Sequence, residues 1–326
     1  MKILVTGGAG FIGSNLCEKL VSLNHEVIAF DCMDNIYSNE AKYENIEDVR
    51  NGFHKNYKFC RSNINGKRDI DLLNFDTVVH LAAKPGVRWS FDNTAEAVYW
   101  NTYASTEFMD YCFRTRRIKN FIFISSSTVY GKKTTPFVEK DETIPQSPYG
   151  LTKLHSEEYL KMFCKQFGVK GISLRLFSVY GPRQRPDLIG FKLINSILNK
   201  KQVEIFGDGS QERDFTYVDD IVDGIIKSVE YIEKQPEGSY DVFNLGRGDK
   251  VKLNHVIDLV EKEFKTECNK VYVSKNDIDL EMTWCNNEKA RMLLNWEPKV
   301  NVEEGIHEMT EWFRDNREWI KKSFAK

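Results

Sequence analysis

The chain has 326 residues, a formal net charge of -2 and 29% charged residues. Its mean hydropathy is -0.47. That balance provides no basic field to recruit nucleic acid or an anionic membrane surface, and no apolar run of about 18 residues offers a spanning helix. A chain of this length buries roughly 75% of its unfolded surface, enough for one large α/β domain with a smaller appendage.

In chain order, short β-branched or aromatic runs alternate with helical patterns. "KILVT" (2–6), "EVIAF" (26–30), "TVVHLAA" (77–83), "FIFISSS" (121–127) and "GISLRLF" (171–177) read as strands. Their near-continuous hydrophobicity predicts a parallel sheet covered on both faces. Helices are predicted over 14–23, with Leu16, Leu20 and Leu23 on one face, and over 95–114 and 150–167. The alternation predicts a doubly wound α/β fold, a Rossmann sheet over residues 1–182. After 182 the pattern changes to mixed short elements, with a strand near 236–246 and helices over 253–264 and 303–322. We expect 183–326 to form mainly a smaller substrate-binding lobe, with about 214–250 returning to the first domain. "MKILVTGGAG" runs from a strand into a turn and is no signal peptide, so a cytoplasmic protein is expected. The seven cysteines form no CxxC pair and read as reduced thiols. No histidine spacing suggests a metal.

Gly7, Gly10 and Gly13 in "VTGGAGFIG" follow a predicted strand and open a predicted helix. Such a turn lets backbone approach a pyrophosphate at the positive end of the helix. Asp31 stands eighteen residues past Gly13, where a carboxylate would hold the adenosine ribose. No basic residue follows within four positions, which favours NAD over NADP. The bare alternative is a tight strand–helix turn without a ligand.

Among fourteen tyrosines only Tyr149 has a lysine, Lys153, four residues on. Such a pair arises by chance about once in a chain of this composition. On a helix the two share a face, so Lys153 is expected to lower the Tyr149 pKa and poise it to take an alcohol proton as hydride leaves for NAD. The serine-rich end "ISSSTVYG" opens onto the same carboxyl edge. The plain alternative is a solvent-facing Tyr/Lys pair.

"TGGAGFIG", "HLAA", "SSSTVYG", "PYGLTK", "LRLFSVYGP" and "GDGSQERDFTYVDDIVDGI" together resemble the extended short-chain dehydrogenase/reductase family, and within it the nucleotide-sugar epimerases and dehydratases. The resemblance covers nearly the whole chain. It implies Ser126, Tyr149 and Lys153 as catalytic residues at the sugar C4 hydroxyl, with Lys153 also on the nicotinamide ribose. For NAD it implies Gly7, Gly10, Phe11, Ile12, Gly13, Asp31, Asn63, Ile64, Leu81, Ala82, Ala83, Lys84 and Asn101. Asn63–Ile64 stands where members carry Asp-Ile or Asp-Leu after the third strand; an Asn carbonyl still accepts from the adenine amino group. Dehydratases and uronate decarboxylases of the family place an acid in the stretch matching Ser126–Tyr130. Its absence here disfavours elimination and leaves oxidation at C4, rotation of the keto sugar and hydride return.

"AAKPGVRWS" and "FSVYGPRQRPDL" resemble the UDP-glucuronate 4-epimerase subgroup. By that resemblance Arg185 meets the substrate carboxylate, with Ser127, Thr128 and Ser178 adding hydroxyls. The alternative is that Arg183 and Arg185 are loop residues or pair with Asp187. Arg88 reaches the substrate or braces its loop. Arg213 maps to the pyrophosphate, the alternative being a pair with Asp214 or Asp219, and Phe206 to the uracil pocket, more by backbone than by ring. Where the family's second pyrophosphate arginine precedes its turn, this chain reads "SKNDID": either Lys275 substitutes or the contact is absent. The expectation is thus an NAD-dependent 4-epimerase for UDP-glucuronate and UDP-galacturonate, a homodimer by family analogy. Its rivals are a neutral UDP-sugar 4-epimerase, a decarboxylase and a non-catalytic NAD-binding regulator.

Overall fold

The computed structural model describes residues 1–322 except 53–54, 72, 116–117 and 275–279. A seven-stranded, all-parallel sheet forms its centre. The strands are β1 (Lys2–Thr6), β2 (Glu26–Asp31), β3 (Tyr57–Arg61), β4 (Thr77–His80), β5 (Asn120–Ser126), β6 (Lys170–Leu176) and, after several shorter ones, β11 (Tyr240–Leu245). Their order is β11-β6-β5-β4-β1-β2-β3. Progression reverses at β1 and β4, so the crevice for a ligand opens between their carboxyl ends.

Alternate residues of each central strand feed different cores. Ile3, Val5, Val79, Ile122 and Ile124 join Leu16, Leu20, Ile221 and Ile225 on one face. Leu4, Val78, Phe121 and Phe123 join Phe108, Phe113, Leu160 and Phe163 on the other. Each such aliphatic or aromatic side chain contributes about 1.5–3 kcal/mol when fully buried. The edge strand β3, "YKFCR", is absent from the apolar runs because only Tyr57 is buried, while Lys58 and Arg61 are exposed.

Several predicted bounds shift. The first helix is Phe11–Ser22, so Leu23 lies past its end and is 46% exposed; Phe11, Cys17 and Val21 share the buried face instead. "TVVHLAA" leaves the sheet after His80, and Leu81–Ala83 become cleft wall. The predicted 303–322 helix is two, Val302–Asp315 and Arg317–Lys322. Its break at Asn316 turns Trp319 inward, where the indole N–H donates to Asn45 Oδ1 at 3.0 Å.

The remaining strands are short: β7 (Ser178–Tyr180) beside β10 (Phe215–Tyr217), β8 (Val203–Phe206) beside β13 (Lys270–Val273), and β9 (Glu212–Arg213) between β12 (Val251–Lys252) and β14 (Met282–Thr283). Around them Phe191, Ile205, Phe215, Val256, Ile306 and Phe313 build a further core. These elements hold one wall of the cleft, and the sheet's carboxyl edge holds the other. No helix among the described residues is long and apolar enough to cross a membrane.

Candidate active site

The cleft has a volume of about 1030 Å³. Every site residue expected from the sequence lines it except Asn101. Lys275 lies outside the described residues.

The glycine turn closes tightly. A Cβ on Gly13 would fall 2.1 Å from the Gly7 carbonyl oxygen, so the helix start packs onto the turn only without one. Gly10 is the N-cap of the Phe11–Ser22 helix and supplies no side-chain cap. The helix's leading N–H groups are therefore left for an anion. Asp31 ends β2, buried, and accepts from the backbone N–H of Ala9 at 3.2 Å and of Met33 at 2.8 Å. Those contacts fix its carboxylate and leave lone pairs for ribose hydroxyls. Turn, helix end and carboxylate together fit a dinucleotide.

Asn101 departs from expectation. Its Oδ1 accepts from Lys84 N at 2.6 Å and its Nδ2 donates to Lys84 O at 2.9 Å, so its amide is spent on the backbone of the loop after β4. The predicted 95–114 helix explains its placement. It runs as Thr94–Val98, a π-helical turn at Tyr99–Ala104, then Ser105–Arg114. Such a turn frees backbone groups, and the Asn101 carbonyl accepts from Ser156 Oγ at 2.7 Å. Asn101 is a positioning residue for the Lys84 loop.

A second buried chain braces the same strand ends. Thr6 Oγ1 accepts from Ala82 N–H at 3.2 Å and lies 2.7 Å from His80 Nδ1. His80 Nε2 lies 3.1 Å from Ser105 Oγ, which itself donates to Trp100 O. Only one assignment satisfies all four groups: Nε2 carries the proton and Nδ1 accepts from Thr6. Burial, and then the Lys153 charge, push the His80 pKa down to about 3, consistent with a neutral ring.

The local sequence places Tyr149. Ser147 is an N-cap whose hydroxyl accepts from Gly150 N–H at 3.0 Å, and Pro148 opens the Pro148–Phe167 helix. Tyr149 is thus the second residue of the helix, where the positive end favours a phenolate. A Cβ on Gly150 would meet Thr128 O at 2.7 Å, so its absence lets the helix start reach the Ser127–Val129 turn. The Tyr149 N–H donates to Ser90 Oγ at 3.0 Å. Ser126 accepts from Thr128 N–H at 3.2 Å and from Thr128 Oγ1 at 3.0 Å, which keeps its own proton for another partner.

Lys153 shares the helix face with Tyr149, its Nζ 5.9 Å from the centroid of the Tyr149 ring. Burial raises the pKa of the phenol, opposed first by the Arg185 charge and then by a hydrogen bond with Ser126. Lys153 is 3% exposed and donates to Ile124 O at 2.8 Å. Burial pushes its own pKa down to about 7, against the pull of Glu157. With its pKa near 7, Lys153 is only partly charged at neutral pH and offers Tyr149 less than a full positive charge.

The reading from sequence missed Ser90 and Glu157. Glu157 is 1% exposed and accepts from Ser125 Oγ and, at 2.7 Å, from Arg175 Nη2. Its signal was present: Tyr149, Lys153 and Glu157 fall at i, i+4 and i+8, and a charge on the buried face of a helix needs a partner.

The substrate-side residues line the opposite wall. Arg185 pairs bidentately with Asp187, Nε to Oδ1 and Nη2 to Oδ2, both at 2.9 Å. This is the loop pair weighed as its alternative, yet Arg185 also lies near enough to Tyr149 to act on its ionisation. Arg183, by contrast, is buried against Glu18 and Asp48. The Arg88 guanidinium lies 3.3 Å from the centroid of the Phe206 ring, joining the two walls. Arg213 Nη1 donates to the carbonyls of Glu212 at 2.8 Å and Glu281 at 3.3 Å. Its neighbour Asp214 is committed elsewhere, accepting from the N–H groups of Arg247 and Gly248 and from Thr216 Oγ1.

Comparison with known proteins agrees with this arrangement. Residues 3–246 match the model of the NAD dependent epimerase/dehydratase family. A UDP-glucuronate 4-epimerase of Thermodesulfobacterium geofontis is 34% identical over 325 residues, spanning 98% of each protein. The crystal structure of UDP-glucuronic acid 4-epimerase from Bacillus cereus, in complex with UDP-glucuronic acid and NAD, superposes with a TM-score of 0.89 at 34% identity, over 97% of this chain and 99% of that one. UDP-glucose 4-epimerase from Thermotoga maritima, with UDP-glucose, gives 0.85 at 32% identity, over 97% of this chain and all of that one. A parallel sheet switched at β1 and β4, a glycine turn with Asp31, and Ser126, Tyr149 and Lys153 on one edge thus coincide with a match over most of the chain, and this protein belongs to the NAD dependent epimerase/dehydratase family.

Proposed function

We propose that this enzyme is a UDP-sugar 4-epimerase that interconverts UDP-glucuronate and UDP-galacturonate. The observation that carries the sugar assignment is Arg185, which lines the same cleft as Tyr149 and whose charge opposes the desolvation of the phenol. The C5 substituent is one bond from the reacting C4, so a cation that acts on the acid/base group is suited to a carboxylate there. The Ser126–Tyr130 stretch carries no acid, which speaks against dehydration. Relatives named for glucuronate epimerisation support the same reading.

Bound NAD supplies a hydride acceptor and donor at C4. The chain's residues do the rest. Tyr149 accepts the C4 hydroxyl proton and returns it after the sugar has turned. Ser126, oriented by its two contacts from Thr128 and hydrogen-bonded to Tyr149, steadies that hydroxyl beside the phenol. Ser127, Thr128 and Ser178 offer hydroxyls around the C5 group, and Arg88 and Phe206 cover the nucleotide side of the cleft. Holding the carboxylate matters chemically, because a 4-keto uronate is a β-keto acid and loses CO₂ readily.

A second reading has a specific observation behind it. Asp187 already neutralises Arg185, and a pair without net charge suits a neutral sugar such as the glucose of the UDP-glucose bound by the Thermotoga maritima protein. Arg185→Ala separates the two. On the acidic reading, both sugars lose what the Arg185 charge contributes to Tyr149, and kcat/KM for UDP-glucuronate falls by about a further hundredfold, the cost of removing one partner of a desolvated charge pair. Equal loss on both sugars, or a UDP-pentose in the product NMR spectrum, overturns the assignment.

The exposed apolar groups on two helices support a homodimer. Val98, Tyr99 and Tyr103 on one helix and Leu151, Tyr159 and Met162 on the helix packed against it are each at least 38% exposed. A monomer rarely leaves such a set unpartnered.

A further inference from the structure

The strand order sets β4 and β2 on either side of β1. The loops leaving β4 and β2 therefore flank the glycine turn that leaves β1, and charged groups from both meet across it. Lys84, from the β4 loop, has its Nζ 2.5 Å from Asp34 Oδ2 in the β2 loop. The same Nζ is 2.9 Å from Glu96 Oε1, in the first turn of Thr94–Val98. All three line the cleft. Both anchors are held. Asn101 grips the Lys84 backbone on both sides, and the Asp34 carbonyl accepts from the buried Lys42 ammonium. Lys84 itself is only 14% exposed.

Family resemblance casts Lys84 as a direct contact to the cofactor. The charges here argue otherwise. One ammonium between two carboxylates makes a cluster of net charge -1, and two of its three donors are already used. Such a group is a poor ligand for a pyrophosphate but a good tie between two loops. The geometry points to a strap: Asp34, Lys84 and Glu96 close over the pyrophosphate end of the bound dinucleotide and slow its escape. A cofactor regenerated at the end of each cycle benefits from retention. The strap does not depend on which sugar is turned over, so it stands or falls separately from the substrate assignment.

The test is the rate of NAD release from the NAD-loaded enzyme, freed of excess cofactor and mixed with surplus alcohol dehydrogenase and ethanol. Only released NAD is reduced, and its absorbance follows the loss. Asp34→Asn is expected to speed release by about two- to fivefold, the effect of losing one partly exposed charged pair. Glu96→Gln, at a more exposed carboxylate, is expected to speed it less. Asp34→Glu is expected to keep release near the wild-type rate. If Lys84 is instead a phosphate ligand restrained by its carboxylates, Asp34→Asn would release its charge to the cofactor and NAD would leave more slowly. Slower or unchanged release in both Asp34→Asn and Glu96→Gln overturns the strap. Melting curves of the NAD-free variants, expected to shift only as exposed substitutions do, separate release from unfolding.

Discussion

Tyr149 owes its position to its immediate neighbours and its ionisation to distant ones. Ser147 and Pro148 start the helix and Gly150 lets it approach the Ser126 turn, all legible in "SPYG". The charge that opposes its desolvation comes from Arg185, thirty-six residues away in sequence. Lys153 carries a testable cost. Its folded pKa is about 7 against an ordinary 10.5, so between those values the unfolded chain binds the extra proton. Stability therefore rises with pH across that window, and the penalty of burying the ammonium is present in full below it. Lys153→Met removes that penalty. Its melting temperature relative to wild type is expected to be highest below pH about 7 and to decline toward pH 10.5. A difference independent of pH would show that the buried group is not titrating there.

The helix after the Lys84 loop shows what periodicity hides. Apolar spacing predicts one helix over 95–114 with Tyr99, Tyr103, Met109 and Phe113 on a common face. The π turn at Tyr99–Ala104 rotates that face: Met109 and Phe113 are buried, while Tyr99 and Tyr103 are 43% and 57% exposed. One extra residue per turn leaves no mark in composition, and its compensating contact, Ser156 to the Asn101 carbonyl, comes from another helix. The turn is what aims Asn101 at Lys84. Asn101→Ala leaves two backbone groups of that loop without their partners and is expected to cost about 1–3 kcal/mol in denaturant unfolding, with weaker NAD binding in titration. Full stability with normal NAD affinity would mean that the loop holds its own shape.

For the whole molecule, the sheet buries both its faces, yet the helices 94–114 and 148–167 still present aromatic and apolar groups outward. Tyr99 and Tyr103 stack at 5.5 Å on that surface. If a second copy covers it, Tyr103→Glu combined with Met162→Glu is expected to convert the protein to a monomer in sedimentation while leaving its circular dichroism unchanged. A variant that stays dimeric places the interface elsewhere.

What the sequence determined by itself is local or periodic. Runs of β-branched residues mark strands buried on both faces. The cap Ser147 and the turn glycines are short-range devices whose physics needs only a few neighbouring residues. These features sufficed for the doubly wound sheet, the dinucleotide turn and the Ser–Tyr–Lys edge. The tertiary structure decided what depends on partners far apart in the chain. It set Asn101 on the Lys84 backbone, Lys84 between Asp34 and Glu96, Arg185 against Asp187 in the cleft of Tyr149, and Glu157 beneath Lys153 with Arg175. The reason is electrostatic: a charge takes its function from whichever opposite charge the fold brings within a few ångströms, and from how much water the fold leaves between them.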